Sequence, residues 1–250
     1  MFVVSGGMQK SGSTLLHVYA MDLICRQHGS TGQRAFETWV REGPVGGSGS
    51  FPWKGWVDHV ADLETLAATH GPFVLKTHLP FTEIRQKLAG REIRAIFSYR
   101  DPRDAVLSAL DHGARSRAAG DWPYAGCVDL AATLPVVREW CEAAVTWLDA
   151  PGVLRFRYED LIEKTIEQVQ RLAEFLGVSD PRSAAEAAVQ EERSQRAPGK
   201  NQFNTGLAHR WLTEMTPDEV DLCEKVLGGY ITAMGYTLRG GRCHPESVSR

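Results

Sequence analysis

At 250 residues the chain is long enough for one large α/β domain or two small ones, and 43% hydrophobic with 24% charged residues is an ordinary globular balance. A formal net charge of -3 gives no basic field for duplex nucleic acid, so an anionic ligand must be held by local groups. Cys25, Cys127, Cys141, Cys223 and Cys243 form no CxxC pair, which argues against a disulfide framework or structural zinc and predicts reduced thiols in a cytoplasmic protein. The opening residues lack a basic segment leading into a long apolar stretch, and no run reaches bilayer length. A soluble protein without signal peptide or membrane partner is expected.

Phe2-Val3-Val4-Ser5 reads as a short buried strand, residues 6–13 as a small-residue loop, and residues 14–27 as a helix with Leu15, Leu16, Tyr19 and Leu23 at helical spacing. Strand, glycine-rich loop and helix open a phosphate-binding βα unit. Residues 29–55 predict a short helix and a long functional loop carrying Trp39, Phe51 and Trp53. A helix over 57–70 stops at Gly71-Pro72. Strands follow over 73–77 and 93–99, with a short helix over 81–88 between them. Asp101 is placed to cap a helix that begins over 102–110. Residues 112–126 read as a polar, mobile surface segment, and residues 130–148 as a long helix. A fourth strand covers 153–158, and one amphipathic helix covers 161–176, closed by Gly177. Strands alternating with helices imply an α/β fold of three layers, a central, mainly parallel sheet flanked by helices and similar to phosphate-loop NTPases. One domain over 1–250 is expected, with a loop over 197–211 and a flexible tail from about residue 240.

The loop Gly7-Met8-Gln9-Lys10-Ser11-Gly12-Ser13-Thr14 sits where backbone N–H groups and a helix dipole favour an anion. Its glycines fit the GxxxxGK[ST] spacing of triphosphate loops, yet Ser13 stands where that lysine belongs and Lys10 stands two residues before Gly12. Taken alone, such a turn either cradles a phosphate or binds nothing.

Lys10-Ser11-Gly12-Ser13-Thr14 resembles the P-K-[ST]-G-[ST]-[TN]-W loop of the sulfotransferase family. Three more segments resemble that family in the same order: Lys76-Thr77-His78-Leu79-Pro80 its KTHLP segment, residues 99–108 its RNPKDVxVS block, and Arg157-Tyr158-Glu159-Asp160-Leu161, with the helix ending Glu174-Phe175-Leu176-Gly177, its YEDL…EFLG stretch. The resemblance covers residues 3–177. It implies transfer of a sulfuryl group from 3′-phosphoadenosine 5′-phosphosulfate to a hydroxyl, less readily an amine, of a small-molecule or natural-product acceptor. It implies no metal, since a sulfate ester carries one charge fewer than a phosphate ester. By the same resemblance, Lys10 and the N–H groups of Ser11, Gly12, Ser13 and Thr14 hold the 5′-phosphosulfate, with Lys10 also stabilising the leaving phosphate. Arg100 and Ser108, eight residues apart, take the 3′-phosphate. His78 is the general base, although a histidine after a strand is commonly a packing residue. Tyr158 either packs near the adenine or is a core tyrosine, and Glu159 and Asp160 read as helix N-terminal charges.

Departures from the family pattern are also legible. Gln9 replaces the loop proline, and Leu15 replaces the tryptophan, so Trp39 or Trp53 would have to stack instead. The C-terminal RKGxxGDW segment keeps Gly206, Trp211 and the spacing to Thr216, while Asn204 and Thr205 replace its two cations. Thr205 and Gly206 are still assigned to the donor, with Lys200, His209 or Arg210 as substitute cations or merely solvated loop charges. Trp39, Phe51, Trp53, Trp56, Trp122 and Tyr124 either line an acceptor pocket or anchor their own loops. The competing readings are a small-molecule kinase with a degenerate loop, predicting magnesium-dependent ATP binding, and a non-catalytic nucleotide-binding module. Nothing in the sequence fixes the acceptor or the oligomeric state.

Overall fold

Four strands make one parallel sheet in the order β4-β1-β5-β6, where β1 is Val3–Gly7, β4 Val74–Thr77, β5 Arg94–Tyr99 and β6 Val153–Arg157. The computed structural model describes residues 1–52, 55–91, 93–195 and 206–239. β2 (Gly47–Ser48) and β3 (Phe51–Pro52) form a small antiparallel hairpin beside β4. The strands are apolar on both faces because helices cover both. Side chains alternate: Val3, Val74 and Ile96 face one core, with Leu15, Leu16, Leu172 and Val189. Phe2, Val4, Leu75 and Phe97 face the other, with Val106, Val137, Trp147 and Leu227.

The first layer holds α1 (Ser13–His28), α8 (Thr165–Leu176) and α9 (Pro181–Gln195). The second holds α3 (Val60–His70), α4 (Phe81–Leu88), α5 (Pro102–Ala119), α6 (Leu130–Leu148) and α11 (Pro217–Ala233). α2 (Thr31–Glu42) packs on α3. A 3₁₀ turn at Trp56–His59 precedes α3, and the short α7 (Tyr158–Glu163) and α10 (Trp211–Glu214) complete the chain. The expected α/β layers are therefore present.

Three local expectations need correction. The expected surface loop over 112–126 is shorter than predicted, because α5 continues to Ala119 with Gly113 and Ser116 buried and the exposed irregular segment starts at Gly120. Its polar residues find partners: the Arg117 guanidinium donates to the carbonyls of Ala125 and Cys127. A side chain at Gly113 would meet the carbonyl oxygens of Cys127 and Tyr124 at 2.5 and 2.7 Å, so its absence lets that segment lie against the helix. The single helix over 161–176 is two, broken at Lys164 (φ -123°), with the first turn starting at Tyr158. α9 and α11 are helices that the sequence reading did not assign. Cys25, Cys127, Cys141 and Cys223 are free thiols, and Cys243 and the tail from residue 240 lie outside the described residues. No helix among the described residues is long and apolar enough to cross a membrane.

Candidate functional site

Strand register assembles the site. Gly7 pairs with Ser98, Gly6 with Thr77, and Tyr99 with Arg157, so the loops after β1, β4, β5 and β6 leave one sheet edge at one level. β4 and β5 flank β1 on opposite sides. The order therefore reverses at β1, which opens a crevice at the carboxyl ends of the strands.

The phosphate loop is built from the inside. Ser11 is fully buried; its hydroxyl donates to the Met8 carbonyl (2.6 Å) and meets Ser98 Oγ at 2.9 Å, while its N–H donates to Met8 O at 3.2 Å. Ser11 thus braces the loop, its hydroxyl turned inward toward Met8 O and Ser98. Gly12 (φ 72°) precedes α1, which has no side-chain cap, so the first-turn N–H groups at Ser13 and Thr14 remain for an anion. The Lys10 amine lies 2.5 Å from His112 Nδ1 and over the Tyr124 ring. Burial first, then Arg115 and Arg100, lower its pKa to about 8 against support from Asp111 and Cys127. A second ammonium, missed as a site residue, is Lys76: it donates to Thr14 Oγ1 at 2.6 Å, and burial lowers its pKa to about 8. The available signal was its place two residues before His78 at the end of a strand.

His78 Nδ1 lies 2.6 Å from the Gly7 carbonyl, which fixes the proton on Nδ1 and leaves Nε2 as an acceptor. Burial and the Lys76 charge hold its pKa near 4, although the Gly7 bond opposes them, so the ring is neutral at pH 7. Phe51 packs edge-on against it at 5.4 Å. Beside it a cavity of about 210 Å³ is lined by Gln9, Phe97, Glu139, Trp140 and Trp147.

At the other end stands Arg100, 4% exposed. Its Nη2 donates to Asp104 (2.9 Å) and to the Leu207 carbonyl (2.7 Å), while its Nε is buried without a partner among the described residues. Asp104 and Ser108 follow at helical intervals of four, which places buried Ser108 on the same face as Asp104. Tyr158 touches both ends. A side chain at Gly12 would come within 2.7 Å of its ring, and the Arg100 guanidinium lies 4.2 Å from the ring centroid. Tyr158 is 7% exposed and lies against both the loop at Gly12 and the Arg100 guanidinium.

Glu159 is buried and accepts from the Asp101 N–H and the Tyr236 hydroxyl, so its role is structural. Gly206 (φ 67°) leads into Leu207, which contacts Arg100, whereas Thr205, Asn204, Lys200 and Trp53 lie outside the described residues. Arg210 is not a spare cation: it is paired with Asp111 and with both oxygens of Glu214. His209 faces Glu163 at 3.4 Å. Of the loop aromatics, Phe51 and Tyr124 reach the site. Trp56 is buried with its N–H on Thr77, Trp39 packs on Phe36 and His59, and Trp122 is exposed to solvent.

A phosphate-type loop at the switch point of a parallel sheet, with its cation placed differently from that of triphosphate hydrolases, defines an α/β protein of the phosphate-loop class. The chain belongs to the sulfotransferase domain family, whose profile, described as "Sulfotransferase domain", matches residues 2–235. It is similar to sulfotransferase 1A1 of Mus musculus, 30% identical over 136 residues (51% of this chain and 45% of that protein). The Canis lupus familiaris protein of the same name is 27% identical over 168 residues (64% and 53%). The chain thus spans about half the length of the curated relatives it matches. In fold it resembles mouse sulfotransferase SULT7A1 complexed with PAP, with a TM-score of 0.60 at 14% identity over 92% of this chain and 84% of that one. It also resembles retinol dehydratase in a complex with retinol and PAP, with a TM-score of 0.53 at 18% identity over 95% and 82%.

Proposed function

We propose that this protein is a single-domain, cytoplasmic sulfotransferase that takes 3′-phosphoadenosine 5′-phosphosulfate as donor and a small-molecule hydroxyl as acceptor. The observation that carries this reading is the pair of anion sites on one sheet edge. Lys10, Lys76 and the uncapped start of α1 stand at one end; Arg100, its Nε buried and without a partner among the described residues, stands at the other, with the Tyr158 ring beside it. A donor with a 5′-phosphosulfate and a 3′-phosphate needs two such sites. The relatives' PAP complexes support the same donor chemistry.

In the proposed reaction the acceptor oxygen forms a bond to sulfur as the bond from sulfur to the bridging oxygen breaks, releasing the 3′,5′-bisphosphate. The acceptor proton passes to His78 Nε2. A neutral base is present at all pH values above about 4, and the nearby Lys76 charge disfavours early protonation. Lys10 meets the charge that develops on the departing oxygen, an interaction that strengthens in the transition state. Ser108 and the segment at Gly206 complete the 3′-phosphate end.

The test is calorimetric titration with 3′-phosphoadenosine 5′-phosphate without metal, against ATP with magnesium. Metal-independent binding, weakened about 100-fold or more in Arg100→Ala by loss of a charge-assisted contact, is expected. His78→Ala should bind normally and transfer about a hundred- to ten-thousandfold more slowly to a screened set of phenols and alcohols. Preference for magnesium-ATP would move the assignment to a kinase, and binding with no turnover on any acceptor to a binding module.

A further inference from the structure

Three non-glycine residues among those described hold a left-handed backbone: Lys10 (φ 66°), Tyr124 (φ 62°) and His209 (φ 59°). Two of them meet. The Lys10 ammonium lies 4.9 Å from the Tyr124 ring centroid, and the Tyr124 hydroxyl donates to Gln9 Oε1 at 2.6 Å. Strained conformations persist where surrounding contacts impose them, and here His112 supplies the contacts. It sits one helical turn beyond Ser108 on α5, its ring centroid 4.5 Å from that of Tyr124 and its Nδ1 2.5 Å from Lys10 Nζ. An ammonium has only protons to give, so His112 Nδ1 accepts, and the ring is neutral with its proton on Nε2. Burial, then the charges of Lys10 and Arg115, lower the His112 pKa to about 4, which agrees with that state.

We propose that His112 is a positioning residue for Lys10, its neutral Nδ1 taking one of the three ammonium protons and holding the amine charged beside the phosphate loop. The other two protons remain for an anion. The catalytic consequence rests on the sulfotransferase reading; the bond itself does not.

The electrostatics show why such support matters. Around Lys10, Arg115 and Arg100 oppose its charge, Asp111 and Cys127 favour it, and Tyr124 presents a ring face. Glu139 and Gln9 both line the cavity beside His78. With Lys10 titrating near 8, the ammonium is retained by a small margin at neutral pH, and an acceptor at Nδ1 stabilises the charged form. Removing that acceptor moves the titration downward.

The proposal is tested on the full chain without donor. Lysine Cε signals are followed by NMR through a pH titration, Lys10 being assigned from Lys10→Arg. In His112→Ala the Lys10 pKa falls by about half a pH unit or more; in His112→Asn, whose amide oxygen stands near the Nδ1 position, it returns toward the wild-type value. In transfer assays His112→Ala lowers kcat about tenfold with the donor KM within about twofold and shifts the alkaline limb to lower pH, and His112→Asn restores both. An unchanged Lys10 titration overturns the proposal. So does tighter donor binding in His112→Ala, because the contact would then compete with the donor. A shifted titration in a protein that transfers no sulfuryl group leaves the Lys10–His112 bond standing and sinks the sulfotransferase reading instead.

Discussion

His17 shows how far burial alone can set a residue's chemistry. It lies in α1 with Nε2 2.6 Å from Ser50 Oγ and Nδ1 buried without a partner among the described residues. Burial, followed by the Lys76 charge, pushes its pKa down to about 3. The unfolded chain titrates this ring near 6.5, so between these values the unfolded state holds more protons and stability falls as pH drops. At pH 5 the loss is about 2 kcal/mol relative to neutral pH, from 1.36 kcal/mol per pH unit of separation. His17→Gln keeps a hydrogen-bonding group for Ser50 and does not titrate. Urea unfolding at pH 7 and pH 5 should therefore show a smaller acid loss in the variant, and equal losses would refute the assignment. His78 is depressed by the same forces, yet its Nε2 is left as an acceptor and the ring lines a cavity, so neutrality there makes a base and not an inert core group.

At the scale of elements, the start of α1 depends on Gly12. Any side chain there must hold φ near 72° and enter the Tyr158 ring. Gly12→Ala should cost about 1–2 kcal/mol for the left-handed backbone and a further 1–3 kcal/mol or so for overpacking. Tyr158→Leu in the same chain should recover the second part and not the first, a coupling that thermal melts of the two singles and the double would measure. The elements that build this site were the legible ones. Their strands carry short apolar runs, and the loop, the residues around His78, the Arg100 block and Tyr158 lie at strand ends where small or charged residues follow. Other elements hid for physical reasons. α9 packs through Ala185, Ala188 and Val189, too small to raise an apolar signal, although its alanines favour helix. α11 carried a readable one, since Thr216 and Glu219 form a capping box followed by Pro217 at the first turn. The role of Ser11 as a brace and the contact of Lys10 with His112 depend on residues 87 and 102 positions apart, which no local pattern encodes.

Across the whole molecule, the segment after residue 206 is bound to the site end of the sheet by buried charge. Arg103, 1% exposed, donates through Nε and Nη2 to both oxygens of Asp101, through Nη1 to Glu224 of α11 (2.7 Å), and through Nη2 to the Thr237 carbonyl, while Trp211 lies over its guanidinium at 3.6 Å. Asp101 also caps α5, and its N–H reaches Glu159, which holds the Tyr236 hydroxyl. One buried arginine therefore joins the β5–α5 turn, which carries Arg100, to α11 and the strand of chain beyond it. Arg103→Met leaves buried Asp101 without its counter-charge, a change that typically costs about 3–5 kcal/mol. The exposed pair Arg138–Glu142 is the contrast, with side chains 57% and 49% exposed, and Arg138→Met should lower stability far less than Arg103→Met. Urea unfolding measures both. Because the same arginine positions the turn that carries Arg100, Arg103→Met should also weaken binding of 3′-phosphoadenosine 5′-phosphate under conditions where it remains folded, and Arg138→Met should not. Equal stability losses in the two variants would mean that the C-terminal segment is held by its apolar packing, with Leu227 and Ile231 in the core, and that the ion network contributes only orientation.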